Sequence, residues 1–158
     1  MKVFISWSGQ RSKKVAEALR DWIPDVIQAV ETWMSASDIE AGTRWAEELS
    51  RELNRIRFGI ICLTRENLAA PWVLFEAGAL STGLNKARVC PYLFGIKPAN
   101  ITGPLAQFQV ILAQKEDTRK LLIAINKALD KNALTDQRLG KYFDDKWPEL
   151  DRTLKALR

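Results

Sequence analysis

Trp72 and Glu76 stand four residues apart, so on a helix they would share one face. In sequence Glu76 is set among Leu74, Phe75, Ala77, Gly78 and Ala79. A carboxylate in apolar surroundings is costly unless a partner or substrate satisfies it, and such groups tend to have raised pKa values and functional roles. The small residues after Glu76 would let a backbone or a ligand approach. A glutamate that reaches solvent, or bonds a nearby amide, accounts for the segment equally well, and Trp72 is by default a core aromatic. On this segment alone the two readings stand level. A second acidic set, Asp38 and Glu40, precedes Gly42 and Thr43. Gly42 permits a positive φ, and a plain turn followed by a helix cap is the favoured local reading.

Composition removes other chemistries. The chain has 158 residues and no histidine. Ser-His-Asp and Cys-His pairs and the usual His-containing zinc sites are therefore excluded. No Asp/Glu cluster has metal-ligand spacing, so no metal is expected. No G-x-G-x-x-G follows a strand. Gly78 and Gly83 have P-loop spacing, but Leu84-Asn85 follows them instead of Lys and Ser/Thr. Cys62 and Cys90 lie in apolar runs, which suits buried thiols in a reducing cytoplasm. Net charge is +5, with 24 Lys and Arg interleaved among 19 Asp and Glu. That balance allows anionic partners, yet there is no basic run of five and no RNA-binding aromatic signature, so nucleic acid is not expected. No run approaches the ~20 apolar residues of a spanning helix, and the apolar stretch at the start is too short for a signal peptide. No membrane partner is expected.

Positioning these residues falls to alternating elements. Val3-Phe4-Ile5 predicts a strand, and Ser6-Trp7-Ser8-Gly9 a polar turn. Ser12 is placed to cap a helix carrying Val15, Leu19 and Trp22, which Pro24 should stop. A second strand is expected over 29–34 and a loop over 35–42. A helix capped by Thr43 should carry Trp45, Leu49, Leu53 and Ile56. Residues 58–64 (FGIICLT) read as a strand buried on both faces. Pro71 suits the first position of a helix reaching about Leu84. Residues 88–94 form another strand, where Pro91 suggests a bulge or strand end. A loop with one helical turn over 98–105 and a fifth strand over 108–112 follow. One helix is marked by Leu121, Leu122, Ile125 and Leu129. A last one carries Phe143, Trp147, Leu150, Leu154 and Leu157, with Pro148 near its start. Such alternation argues for a parallel sheet with helices on both faces. Ligands then bind outside the carboxyl ends of the strands, at the topological switch point.

The start KVFISWS, the loop SDIEAG and the helix PWVLFEAG, in this order and spacing, resemble the TIR (Toll/interleukin-1 receptor) domain, above all bacterial TIR proteins. The resemblance implies an α/β, flavodoxin-like three-layer sandwich with a five-stranded parallel sheet and helices on both faces. It implies a TIR domain over 1–130, with 131–158 a C-terminal helical extension packed on the same domain. In enzymatic TIR domains a glutamate four residues after a tryptophan is the catalytic residue for cleaving NAD+; the matching pair is Trp72 and Glu76. The family's nucleotide-contacting loop maps to Ser6, Trp7, Ser8 and Gly9, and its BB loop to residues 38–43, with Asp38 and Glu40 as substrate contacts. Trp7 stands where tyrosine is common, Ser8 and Gly9 where some members carry arginines, and Ala41 where proline is frequent. Phosphate contacts would then come from Arg11 or from elsewhere in the chain.

The implied function is an NAD+ glycohydrolase cleaving the nicotinamide–ribose bond to nicotinamide plus ADP-ribose or a cyclic ADP-ribose, in bacterial anti-phage defence. NAD+ is the substrate and no cofactor is needed. Glu76 would steady the cationic ribose, and Trp72 and Trp7 would offer apolar faces. TIR–TIR self-association and a sensor domain or protein are the implied partners. Two other readings stay open: a non-catalytic TIR–TIR interaction module, and a nucleoside deoxyribosyltransferase-like N-glycosidase, whose E-x-G-x-A-like helix is similar to Glu76-Ala77-Gly78-Ala79-Leu80. A phosphorelay receiver would require an acidic pair after the first strand, and none is there.

Overall fold

The structure is a computed structural model, and it describes residues 1–34, 58–68, 88–102, 106 and 108–158. Five parallel strands form one sheet. They are β1 (Lys2–Ser6), β2 (Glu31–Met34), β3 (Phe58–Leu63), β4 (Arg88–Leu93) and β5 (Ile111–Leu112), in the order β2-β1-β3-β4-β5. Three α-helices are described: α1 (Gln10–Val26), α2 (Lys115–Ala128) and α3 (Asp136–Ala156). This is the expected α/β architecture of flavodoxin type. The expected helices over 43–56 and 71–84 and the loop over 35–42 lie outside the described residues.

Alternation along the strands builds two cores. Ile5 of β1 and Ile60 and Cys62 of β3 join α1, α2 and α3 in one cluster. Phe4, Ile61 and Leu63, one residue out of phase, form a second cluster with Val89, Leu93 and Ile96 on the opposite face. β3 is buried at all six positions, which is why its sequence reads as a continuous apolar run. The sheet order reverses between β1 and β3: β2 lies on one side of β1, and β3 and the later strands lie on the other. The carboxyl ends of these two strands therefore define the switch point.

Three prolines behave differently from expectation. Pro24 does not stop α1, which continues to Val26. A proline inside a helix deprives the carbonyl four residues back of its donor. Here that is the Arg20 carbonyl, and the Thr32 hydroxyl of β2 donates to it at 2.7 Å. Pro91 neither bulges nor ends β4: it pairs in register with Ile61. The Leu93 carbonyl accepts from Ala113, so the odd residues of β4 turn their backbone groups toward β5. β5 starts pairing only at Tyr92, so the donor missing from Pro91 has no β5 partner to serve. Pro148 lies well inside α3, which starts at Asp136, with Thr135 as its cap accepting from the Arg138 amide. The start of α2 is likewise earlier than its apolar stripe, and β5 is shorter than the five residues expected.

Candidate functional site

The turn after β1 and the turn after β3 meet at the switch point. Ser6 ends β1 and is fully buried. Trp7 follows at 4% exposure, and its ring belongs to the core beneath α1. Lys13 extends its ammonium over this ring, 5.4 Å from the centroid. The indole of Trp7 is packed into the core, and of this loop only Ser8 and Gly9 are partly exposed.

Gly9 precedes α1 at φ 82 and ψ 163, a conformation open to glycine and strained for any other residue. It caps α1 with no side-chain bond. The first turn of a helix leaves amides without intrahelical partners and gathers positive potential. No acid stands in this first turn, and Arg11, Lys13 and Lys14 add charge of the same sign. The arrangement suits an anion such as a phosphate. Ser12 does not cap α1, as its spacing had suggested. It is a fully buried residue of the helix whose hydroxyl accepts from the Ser8 amide at 3.1 Å and donates to the Cys62 carbonyl at 2.8 Å.

From the β3 side, residues 64–67 form the facing turn. Asn67, at 2% exposure, accepts from the Thr64 amide at 2.8 Å. Its amide nitrogen donates to the Cys62 carbonyl at 3.0 Å and to the Ser8 carbonyl at 3.1 Å. At the rim, the exposed side chains of Arg11 and Glu66 pair at 3.2 Å. The carboxyl of Glu66 is held below the usual glutamate range, first by its own backbone amide, with Arg11 adding to the effect. Asn67 and Glu66 were not singled out from sequence. The available signal was the turn composition Thr64-Arg65-Glu66-Asn67 directly after a strand at the binding edge.

The same sheet edge carries a cleft of about 370 Å³ at the ends of β4 and β5, lined by Gly95, Ile96, Lys97 and Gln114 among others. Glu76, Trp72, Asp38 and Glu40 lie outside the described residues. Among the described residues no group of three or more acidic or cysteine side chains could hold a metal, and no helix is long and apolar enough to cross a membrane.

Residues 3–125 match the family model of the TIR domain. The chain belongs to the TIR domain family. Its TIR fold is similar to that of the TIR domains in the structure of the activated Roq1 resistosome directly recognizing the pathogen effector XopQ. That similarity has a TM-score of 0.50 and 17% identity, with 99% of both chains covered. An azoreductase from Bacillus anthracis str. Sterne aligns at a TM-score of 0.44 and 10% identity over 99% of this chain and 98% of that one, too low to bear on the assignment. Among curated proteins none matches this TIR domain.

Proposed function

We propose that this TIR domain is an NAD+ glycohydrolase of the cytoplasm, acting in bacterial anti-phage defence. The observation that carries this reading is the mouth at the β1/β3 switch point. There the start of α1, free of acid in its first turn, opens beside Ser8, Gly9 and Arg11. A nucleotide diphosphate fits that potential. Ser6 and Trp7 support the loop from below, and Ser8 and Gly9 contact the substrate.

Glu76, with Trp72, carries the chemistry in this proposal on the strength of the family likeness, and Asp38 and Glu40 contribute to the substrate side. The nicotinamide of NAD+ is a cationic leaving group and departs as a neutral base with the electron pair of the C–N bond. The ribose left behind is momentarily cationic, and a carboxylate stabilises it. Water then adds to the anomeric carbon and loses a proton, giving ADP-ribose; attack by an atom of the same nucleotide gives a cyclic product. No histidine, metal or thiol is required. Self-association through TIR–TIR contacts belongs to the proposal, as does a sensor domain or protein that triggers it.

The test is nicotinamide release from NAD+ by the purified protein, resolved chromatographically and compared with Glu76→Ala across a dilution series. Release that the variant loses, and that climbs faster than linearly with protein concentration, is expected. No release at high concentration, or equal release by the variant, would overturn the enzymatic reading and favour an interaction module.

A further inference from the structure

We infer that Asn67 is a positioning residue that aims the Gly9 amide at the mouth of the site. The inference rests on the NAD+ reading for its kinetic consequence, but the geometry stands by itself. Four groups close a ring across the switch point. The Ser8 amide donates to Ser12 Oγ, and Ser12 Oγ donates to the Cys62 carbonyl. Asn67 Nδ2 donates to that same carbonyl and also to the Ser8 carbonyl. Both peptide groups of Ser8 are therefore held, and both holders are anchored on one oxygen of β3. A third bond, from the Thr64 amide to Asn67 Oδ1, fixes which end of the side chain faces the carbonyls. With 2% exposure, the Asn67 amide has no water to exchange these bonds with.

The consequence lies one residue on. In a planar trans peptide, the N–H points opposite to the preceding C=O. No cis peptide is present among the described residues. Pulling the Ser8 carbonyl inward to Asn67 therefore turns the Gly9 N–H outward, beside the start of α1. The φ of 82 at Gly9 then brings the chain into the helix without turning that amide back. Asn67 touches no substrate in this scheme. It sets the direction of a backbone donor that does, and a donor fixed before binding costs no reorganisation when the ligand arrives.

Asn67→Asp is the informative change, because it keeps the acceptor for Thr64 and replaces the donor by an oxygen facing two carbonyls. Asn126→Asp is the matched control: Asn126 is also buried and clamps Leu134 through both backbone groups, at 2.9 and 2.8 Å, far from the loop in sequence. We expect Asn67→Asp to raise KM for NAD+ about tenfold with kcat within about twofold, the scale of one hydrogen bond to a ligand. Asn126→Asp should lower thermal stability and leave KM unchanged. A merely structural role of Asn67 would instead lower the active fraction, and so kcat, at constant KM; that result overturns the inference. Should Asn67→Asp fail to fold, Ser12→Ala opens the same ring and carries the same KM expectation. Amide hydrogen exchange gives a readout without activity: the Ser8 amide should exchange at least about tenfold faster in Asn67→Asp, with β1 amides unchanged. Unchanged exchange in a folded variant overturns the proposal, whether or not the wild type cleaves NAD+. Absent cleavage by the wild type with faster exchange in the variant would retire the NAD+ reading alone.

Discussion

The Thr32 hydroxyl donates to the Arg20 carbonyl at 2.7 Å, and that carbonyl is the one Pro24 leaves without a helical donor. A β2 side chain thus completes the backbone of α1 at its weakest turn and ties the edge strand to the helix. Thr32→Val keeps the shape and removes the donor. It should destabilise the fold by about 1–2 kcal/mol, read as a lower denaturant midpoint at constant m. Pro24→Ala restores the amide, and in that background Thr32→Val should cost a few tenths of a kcal/mol at most. Additive effects across this double-mutant cycle would refute the coupling.

Arg11 and Glu66 hold each other at the rim of the candidate site, and both are about half exposed. Such a pair contributes little to stability, about 0–1 kcal/mol. Its effect should show in binding, because a phosphate must share Arg11 with Glu66. Glu66→Gln is expected to lower KM for NAD+ by about two- to threefold at low salt, and Arg11→Ala to raise it. The folded carboxyl lies below its ordinary value of about 4.3, so the pair is complete above that pH and is lost as pH falls through the lowered value. The Glu66→Gln effect should therefore stay constant from about pH 5.5 to 8.5. A change within that window would point to another group.

Cys62 is fully buried at the end of β3, and burial alone pushes its thiol well above the ordinary range. Only the thiolate reacts with alkylating reagents. In the folded protein at pH 8, iodoacetamide should leave Cys62 unmodified for hours, and denaturant should make it react within minutes, as read by peptide mass spectrometry. Rapid native labelling would mean that β3 opens locally, and with it the carbonyl on which Ser12 and Asn67 are anchored.

Much of this was legible in the sequence for identifiable reasons. β3 is buried on both faces, so no alternation hides it, and the helices α1 and α3 show Trp22, Leu19, Leu150 and Leu154 at helical spacing. Pro24 reads as a helix stop because a local rule does not see tertiary rescue: nothing near it in sequence announces Thr32. The start of α3 was missed because Asp136–Tyr142 buries only Leu139 and lacks an apolar stripe. At the candidate site, Ser6 to Gly9 could be placed from the strand-turn-helix order, whereas the packing of Trp7 beneath α1 could not be read locally. Asn67 was invisible because its partners Ser8 and Cys62 converge only through the parallel pairing of β1 and β3.

Trp22 decides whether α3 is integral to the fold or merely appended. Its indole nitrogen donates to the Lys146 carbonyl at 2.8 Å. Its ring meets Phe143 and Trp147 edge-on at 5.7 and 6.3 Å, and those two stack on each other at 5.7 Å. Arg119 of α2 lies 4.5 Å over Phe143 and reaches Asp144 at 2.7 Å, so three helices share the cluster. Trp22→Phe, which mainly removes the hydrogen bond, should cost about 1–2 kcal/mol, and Trp22→Ala about 3–5 kcal/mol. If α3 were a loosely attached extension, both variants would unfold at the wild-type midpoint. The expected outcome is one cooperative transition shifted to lower denaturant, with tryptophan fluorescence and far-UV circular dichroism coinciding.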